Sequence, residues 1–323
     1  MAGSGNSGAE ARPLVRTFWH GAFSPYEALC LSTFLHAGIA VELYSYHPVA
    51  GLPEGTILKD AREILDRDVA FYQHEFDGPS PSLHSNEFRY ALLDRLGGWW
   101  VDTDVMLVAP ALPDVDSFIA QQSDRELNGA VMCFPAGHPL IRAARERTSA
   151  RAKDVRWGEV GPKLLTELQP RLAPGMQPSP REAAYAIGAD EFQKFLLPEA
   201  CEEVERCVSG AAFVHLWNEM WRKAGIPKTI APPKGSWLDR MFERHRLTPA
   251  WSNRLEPDNV ARWAALRRDR DHAGYYNLIH HQELERLRAE QLALEHVRAK
   301  PAIGVLSRLA ARFGIARRPG DED

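Results

Sequence analysis

The run of residues 97–108 constrains the fold of this chain more than any other feature, because it combines two glycines, an aromatic segment and a pair of aspartates. The glycines end the helix predicted before them, since glycine readily adopts the backbone conformation found just past a helix end. Trp99–Asp102 then predicts a brief buried strand, and the apolar run Val105–Val108 follows. Asp102 and Asp104 therefore stand at the carboxyl end of a strand, where open α/β sheets bind their ligands.

Strand and helix signals alternate along the rest of the chain, which is typical of an α/β fold. Leu14–Trp19 and Val41–Tyr46 predict strands, and a helix predicted over Pro25–Ala37 joins them into a βαβ unit. A second helix is predicted over Ser85–Leu96, with its first residue as N-cap and Glu87 in its first turn. Later signals predict a strand at Gly129–Phe134, a helix at His138–Arg151 and a strand at Ala211–Leu216.

The 323 residues, of which 45% are hydrophobic and 25% charged, suit an enzyme-sized globular chain. We predict a disordered N-terminus over 1–13, an α/β domain over 14–240 and a helical C-terminal extension over 241–323. Within the extension, Glu283–Val297 and Ile303–Phe313 show helical periodicity. The second of these segments is amphipathic, and we expect it either to pack on its own domain or to contact a membrane surface or partner helix.

Charge and cysteine content exclude several classes of function. The formal charge of −4 provides no basic field for nucleic acid, so no nucleic-acid partner is expected. The four cysteines form no CxxC pair, which predicts buried, reduced thiols and no zinc site.

The first dozen residues lack the apolar core of a signal peptide, and no run reaches the ~18 apolar residues that span a bilayer. The chain is therefore predicted to be soluble and cytoplasmic.

The two neighbouring carboxylates indicate a metal site. Carboxylates this close raise each other's pKa unless a cation offsets their charge. Mn²⁺ and Mg²⁺ take oxygen ligands, and either ion neutralises a leaving diphosphate. We therefore interpret Asp102 and Asp104 as a metal-binding pair, in which one side chain meets the metal and the other reaches a ribose or a metal-bound water.

The neighbourhood of the aspartates makes this interpretation specific. It reads Ser85-Asn86-Glu87-Phe88-Arg89-Tyr90, then six residues, then Gly97-Gly98-Trp99-Trp100-Val101-Asp102-Thr103-Asp104. This composite closely resembles the DXD-containing sugar transferases of glycosyltransferase family 32. That family includes fungal mannosyltransferases, animal α-1,4-galactosyltransferases and bacterial capsule or lipopolysaccharide enzymes, with the clostridial glucosylating toxins as more distant relatives. Supporting matches over about residues 14–222 are Phe18-Trp19-His20-Gly21, Gly161-Pro162 and His215-Leu216-Trp217-Asn218.

The resemblance implies a GT-A type fold, a Mn²⁺ or Mg²⁺ ion, a UDP- or GDP-sugar donor, and transfer with retention to a glycan or lipid-linked acceptor. It implies that Asp104 ligates the metal directly and that Asp102 is shared between metal and ribose. Together with Arg89, which would also bind the donor, these are the implied catalytic residues. Trp19 would stack on the nucleobase, and His215 would serve as a late ligand of metal or diphosphate. Bacterial surface polysaccharide synthesis at the inner membrane face is the implied setting.

Two positions depart from the family pattern, which reads Ser-Asp-x-x-Arg-Tyr and then Gly-Gly-x-Tyr-x-Asp-x-Asp. Asn86 replaces the aspartate that hydrogen-bonds the donor sugar, and its amide donates and accepts but carries no charge. Trp100 replaces the tyrosine. We therefore expect Asn86 and Trp100 to bind the donor, with an altered choice of sugar and an enlarged aromatic wall in the donor pocket.

Two other functions stay open from the sequence. The segment Asp102-Thr103-Asp104-Val105 also fits the first motif of haloacid dehalogenase-like phosphatases, in which Asp102 would be the covalent nucleophile. That motif usually opens a chain, whereas here it lies well inside. The other alternative is a catalytically silent sugar-nucleotide-binding protein, which the substitution at Asn86 keeps open.

Overall fold

A mixed β-sheet is the centre of the fold in the computed structural model, which describes residues 12–72, 80–150 and 158–299. The strands in these ranges are β1 (Leu14–Phe18), β2 (Ala40–Ser45), β3 (Thr56–Asp60), β4 (Gly98–Val101), β5 (Val105–Leu107), β6 (Phe118–Ser123), β7 (Glu126–Phe134) and β8 (Phe213–His215). The α-helices are α1 (Pro25–His36), α2 (Ser82–Leu96), α3 (Pro139–Ala150), α4 (Pro162–Leu172), α5 (Cys201–Val208), α6 (Asn218–Ala224), α7 (Trp237–Arg244) and α8 (Pro257–Ala299).

Six strands form the main sheet in the order β3-β2-β1-β4-β7-β6. The first four are parallel, β7 is antiparallel to β4, and β6 is antiparallel to β7. Side chains alternate between two hydrophobic cores, so that Trp99 and Val101 enter one core and Trp100 enters the other. Helices cover both faces, which confirms the predicted α/β fold and fits the GT-A arrangement.

The predicted start of α2 at Ser85 is wrong. The helix begins at Ser82 after Pro81, and the Ser85 N–H already donates to the Pro81 carbonyl at 3.1 Å. Glu87 consequently lies outside the first turn, and its buried carboxylate accepts from Arg67 at 2.8 Å. The helix is therefore longer at its N-terminus than predicted and includes Leu83. Tertiary contacts bury this side chain, whereas the periodicity of the sequence around it does not indicate a helix.

The compact unit around the sheet ends at Ala265 rather than at the predicted 240. Met241, Leu255 and Val260 are buried in the same core as α1, so the segment after α7 belongs to this unit. The packing of this segment depends on contacts between residues distant in sequence. Its Arg- and Leu-rich composition, which is typical of a helical extension, gives no sign of these contacts. Three of the four cysteines are buried, and all four are free thiols.

The unit that starts at Leu266 contains the rest of α8, on which Leu284, Leu287 and Leu292 are exposed. The predicted amphipathic segment Ile303–Phe313 and residues 1–11 of the predicted N-terminal segment lie outside the described residues. None of the described helices combines the length and the apolar character needed to cross a bilayer.

His84 is a fully buried histidine on α2 that joins three segments of the chain. Its Nδ1 accepts from the Ala70 N–H at 3.3 Å, and its Nε2 lies 2.9 Å from Tyr46 Oη, which donates to the Leu65 carbonyl. These partners are satisfied by a neutral ring that carries its proton on Nε2. Burial lowers the pKa of His84 from 6.5 to about 4.

We expect this histidine to make the protein sensitive to acid. The His84 ring binds a proton near pH 6.5 in the unfolded chain but only near pH 4 in the folded protein. The contribution of the neutral ring to the free energy of unfolding is therefore complete above pH 6.5 and is lost as the pH falls toward 4. The expected loss between pH 7 and pH 5 is about 2 kcal/mol. Urea unfolding of the wild type and of His84→Gln at both pH values measures it, and equal pH dependence in the two proteins would contradict the assignment.

Candidate metal and donor site

The two aspartates lie in the turn that connects β4 to β5. The Asp102 N–H donates to the Ala130 carbonyl on β7 at 2.7 Å, and the Val105 N–H donates back to the Asp102 carbonyl at 3.0 Å. Strand β5 then pairs with β8, and this register places Val105 opposite His215. The long-range pairing therefore brings a histidine from residue 215 to the aspartate turn, as the resemblance implied.

The three side chains are close enough to share a cation. His215 Nε2 lies 3.1 Å from Asp104 Oδ2, and one ligand atom each from Asp102, Asp104 and His215 lie within 4.8 Å of one another. Two carboxylates and one imidazole are a donor set that suits Mn²⁺, and the carboxylates also suit Mg²⁺. The residues present therefore fit the divalent cation that the sequence predicted.

Each aspartate is held by a different set of partners. Arg89 Nη2 donates to both oxygens of Asp102 at 2.7 and 2.8 Å, whereas Asp104 Oδ2 accepts the Asn218 N–H at 2.8 Å. Burial raises the pKa of Asp102, with the Arg89 charge opposing that effect. Burial also acts to raise the pKa of Asp104, but the His215 ring and the Asn218 N–H outweigh it and lower this pKa to about 2. The Asp104 carboxylate is therefore ionised near neutral pH.

The aspartates open onto a cavity of about 600 Å³. All but one of the predicted site residues line this cavity. The six that do so are Trp19, Asn86, Arg89, Asp102, Asp104 and His215. This volume lies within the 300–1,000 Å³ of typical small-molecule sites. The structure therefore brings these six residues together around one space.

Trp19 and Asn86 occupy different walls of this cavity. Trp19 follows β1, its indole N–H donates to the Gly21 carbonyl at 2.9 Å, and its ring is half-buried edge-on against Phe23. Asn86 is buried on α2, one turn before Arg89 and on the same face. An aromatic surface and a neutral amide therefore face the space at separate points.

Trp100 is the exception, and its expected place in the donor pocket is wrong. The side chain is fully buried and does not line the cavity, because the alternation along β4 turns it into the core beneath α2. Its indole N–H donates to Asp102 Oδ1 at 2.7 Å, and the Arg89 guanidinium lies 5.5 Å from its ring centroid. Trp100 therefore orients the Asp102 carboxylate through a hydrogen bond from the hydrophobic core.

We expect Trp100→Phe to weaken Mn²⁺ binding about tenfold, because groups that orient a metal ligand typically contribute that much. The lost hydrogen bond should also cost about 1–2 kcal/mol of unfolding free energy. Calorimetric Mn²⁺ titration and urea unfolding measure the two effects. Trp99→Phe is the matched control, since Trp99 enters the opposite core, and an equal loss of Mn²⁺ affinity in both variants would refute the supporting role.

Several residues of the site have little or no signal in the sequence. Trp217 adopts a left-handed backbone, with φ of 61°, which is uncommon for a bulky residue and turns the Asn218 N–H toward Asp104. Glu27 accepts the Asn218 side-chain amide at 2.8 Å and also caps α1 together with Ser24. The Ser-x-x-Glu capping pattern could have located Glu27 on a helix start. No local pattern announces the αL residue.

No family model matches the chain. It is similar to the lactosylceramide 4-alpha-galactosyltransferase of Rattus norvegicus, with 28% identity over 158 residues that make up 46% of this chain and 44% of the relative. It is also similar to the human alpha-1,4-N-acetylglucosaminyltransferase, with 29% identity over 86 residues, which is 27% of this chain and 25% of the relative. The chain thus spans less than half the length of these two relatives.

Solved structures of glycosyltransferases also match. The glycosyltransferase GlyE of Streptococcus pneumoniae gives a TM-score of 0.41 at 11% identity, and the match covers 80% of this chain and 63% of that one.

Proposed function

We propose that this protein is a metal-dependent glycosyltransferase that moves a sugar from a UDP- or GDP-sugar to a glycan or lipid-linked acceptor. The observation that carries the proposal is the meeting of Asp102, Asp104 and His215 at the wall of a cavity of about 600 Å³. The names of the curated relatives, which are glycosyltransferases, support it.

The residues of the chain would divide the work among them. A bound Mn²⁺ or Mg²⁺ supplies positive charge that offsets the charge developing on the leaving diphosphate. Asp104 and His215 would hold that ion, while Arg89 fixes the orientation of Asp102 for metal and ribose. Trp19 would offer its ring to the nucleobase, and Asn86 would exchange hydrogen bonds with the donor sugar. Because these groups are already positioned, little reorganisation is needed during the reaction.

We propose that transfer retains the anomeric configuration. The acceptor hydroxyl would attack on the face from which the diphosphate leaves, so that the sugar–phosphate bond breaks, the new glycosidic bond forms and the hydroxyl proton passes to a phosphate oxygen. A covalent intermediate would need a carboxylate nucleophile. Glu219 also lines the cavity, but it lies 2.6 Å from Arg222, which makes it a poor nucleophile.

The name of one relative and the family resemblance support a proposal for the acceptor, whereas the cellular setting is proposed from the resemblance alone. The name of the rat protein includes lactosylceramide, a glycolipid, which supports a lipid-linked glycan as acceptor. We propose a role in bacterial surface polysaccharide synthesis, in the cytoplasm at the inner membrane face. We also propose that Ile303–Phe313, which lies outside the described residues, makes peripheral contact with the membrane.

The phosphatase alternative is less favoured by the geometry. Both oxygens of Asp102 accept from Arg89, and one also accepts from Trp100, which weakens that carboxylate as a nucleophile. Phosphoenzyme trapping with a phosphomonoester separates the two, because a phosphatase would become labelled on Asp102 and a glycosyltransferase would not.

A panel of UDP- and GDP-sugars tested by thermal shift with Mn²⁺, and again with EDTA, measures donor binding. At least one donor should raise the unfolding temperature only when Mn²⁺ is present, since a ligand of the folded state stabilises it. The same donor should be slowly hydrolysed, which a catalytically silent binder would not do. A panel in which no donor shifts the unfolding temperature with Mn²⁺ present would overturn the proposal.

A further inference from the structure

A second pair of charges, Glu27 and Lys228, is linked to Asp104 through Asn218, whose backbone N–H donates to Asp104 and whose side chain donates to Glu27. Glu27, in the first turn of α1, is only 1% exposed, and its Oε1 lies 2.5 Å from the Nζ of Lys228. The same oxygen accepts from the Asn218 side chain at 2.8 Å, while Oε2 accepts the Ser24 N–H at 2.9 Å. Lys228, which follows α6 in the chain, lines the cavity. The Glu27 carboxylate thus accepts hydrogen bonds from three donors, and one of these bonds holds the Lys228 side chain in place.

Lys228 keeps donors to spare. An ammonium group has three N–H donors, and within the described ranges one of them bonds, to Glu27. Its side chain is 22% exposed, so the remaining donors are open to a ligand in the cavity.

Among the described residues that line the cavity, the two arginines each have their charge paired with a carboxylate. Arg89 is 6% exposed, and its Nη2 donates to both oxygens of Asp102. Arg222 lies 2.6 Å from Glu219 on the same helix, where the two charges cancel. Of the lysine and arginine charges on the described part of the wall, that of Lys228 is therefore the most available to an incoming anion.

We propose that Lys228, rather than Arg89, contacts the diphosphate of the donor, with Glu27 holding its side chain in place. This inference rests on the proposed function. A diphosphate would bring at least two negative charges next to Asp102 and Asp104, and a single divalent ion bound to those aspartates leaves part of that charge unbalanced. A lysine is a compact point charge that binds phosphate oxygens through charge-assisted hydrogen bonds.

Inorganic pyrophosphate with Mn²⁺ is the probe, because it carries the diphosphate and requires no knowledge of the base or sugar. Lys228→Gln removes the charge but keeps an N–H donor for the buried Glu27. Calorimetric titration should show pyrophosphate binding weakened about tenfold to a hundredfold, the usual size of a lost charge-assisted hydrogen bond, with Mn²⁺ binding alone changed less than about threefold. Lys228→Arg, which restores the charge, should recover most of the affinity.

Lys234→Ala is the matched control, since this lysine is exposed, lies outside the cavity and carries the same charge. It should bind pyrophosphate as the wild type does. Wild-type affinity in Lys228→Gln would overturn this inference alone, as would an equal loss in Lys234→Ala. If the wild type bound neither Mn²⁺ nor Mn²⁺ with pyrophosphate, the proposed function would fail, and this inference with it.

Discussion

Asp104→Asn is expected to lower sugar transfer by about 10³-fold and to remove Mn²⁺-dependent binding of the donor. Losing one preorganised electrostatic partner of a transition state typically costs 10²–10³-fold, and here a metal ligand is lost as well. The substitution keeps the size of the side chain, and its carbonyl oxygen still accepts the Asn218 N–H, so the turn should keep its shape. What disappears is the charge that a divalent cation requires. Initial rates with the donor found by thermal shift, and calorimetric Mn²⁺ titration, measure both effects.

Asp124→Asn provides the matched control for this experiment. Asp124 lies in the exposed turn between β6 and β7 and loses the same charge without touching the cavity. Its rates should stay within about twofold of the wild type, as is usual for an exposed position. An Asp104→Asn enzyme that kept wild-type activity would remove the metal from the proposed mechanism.

Gly97→Ala is expected to cost about 3 kcal/mol or more of unfolding free energy, the largest stability effect among these variants. Gly97 ends α2 with φ of 63° and ψ of −164°, a conformation that residues with a Cβ strongly avoid. A Cβ there would lie 2.5 Å from the Ala136 backbone nitrogen and 3.0 Å from the Phe134 carbonyl oxygen. Backbone cannot rotate out of the way as a side chain can, so strain and overlap add. Urea unfolding measures the loss.

Gly175→Ala is the comparison for the glycine effect itself. Nothing lies within 4 Å of a Cβ at this position, and its φ is not in the left-handed region. Its unfolding free energy should stay within about 0.5 kcal/mol of the wild type. Equal stability of Gly97→Ala and Gly175→Ala would show that the junction between α2 and β4 does not need the glycine conformation.

Much of the candidate site could be predicted because its information is local. The three-residue separation of Asn86 and Arg89 places them on one face of α2, and the glycines end that helix directly before β4. Trp100 shows the limit of such reasoning. The motif indicates that this residue belongs to the site, but only the order of the strands and the packing of α2 on β4 decide that its side chain points away from the cavity.

By itself, the sequence determined the α/β class, the order of most strands and helices, and the position of two aspartates at a strand end, because periodicity, glycine conformation and carboxylate chemistry act over a few residues. Only the tertiary structure decided that β5 pairs with β8 and so brings His215 to Asp104, and that Lys228 rests on Glu27 across a separation of 201 residues. Such contacts form when distant segments bury their apolar faces together, and no local pattern encodes which partner each side chain then meets.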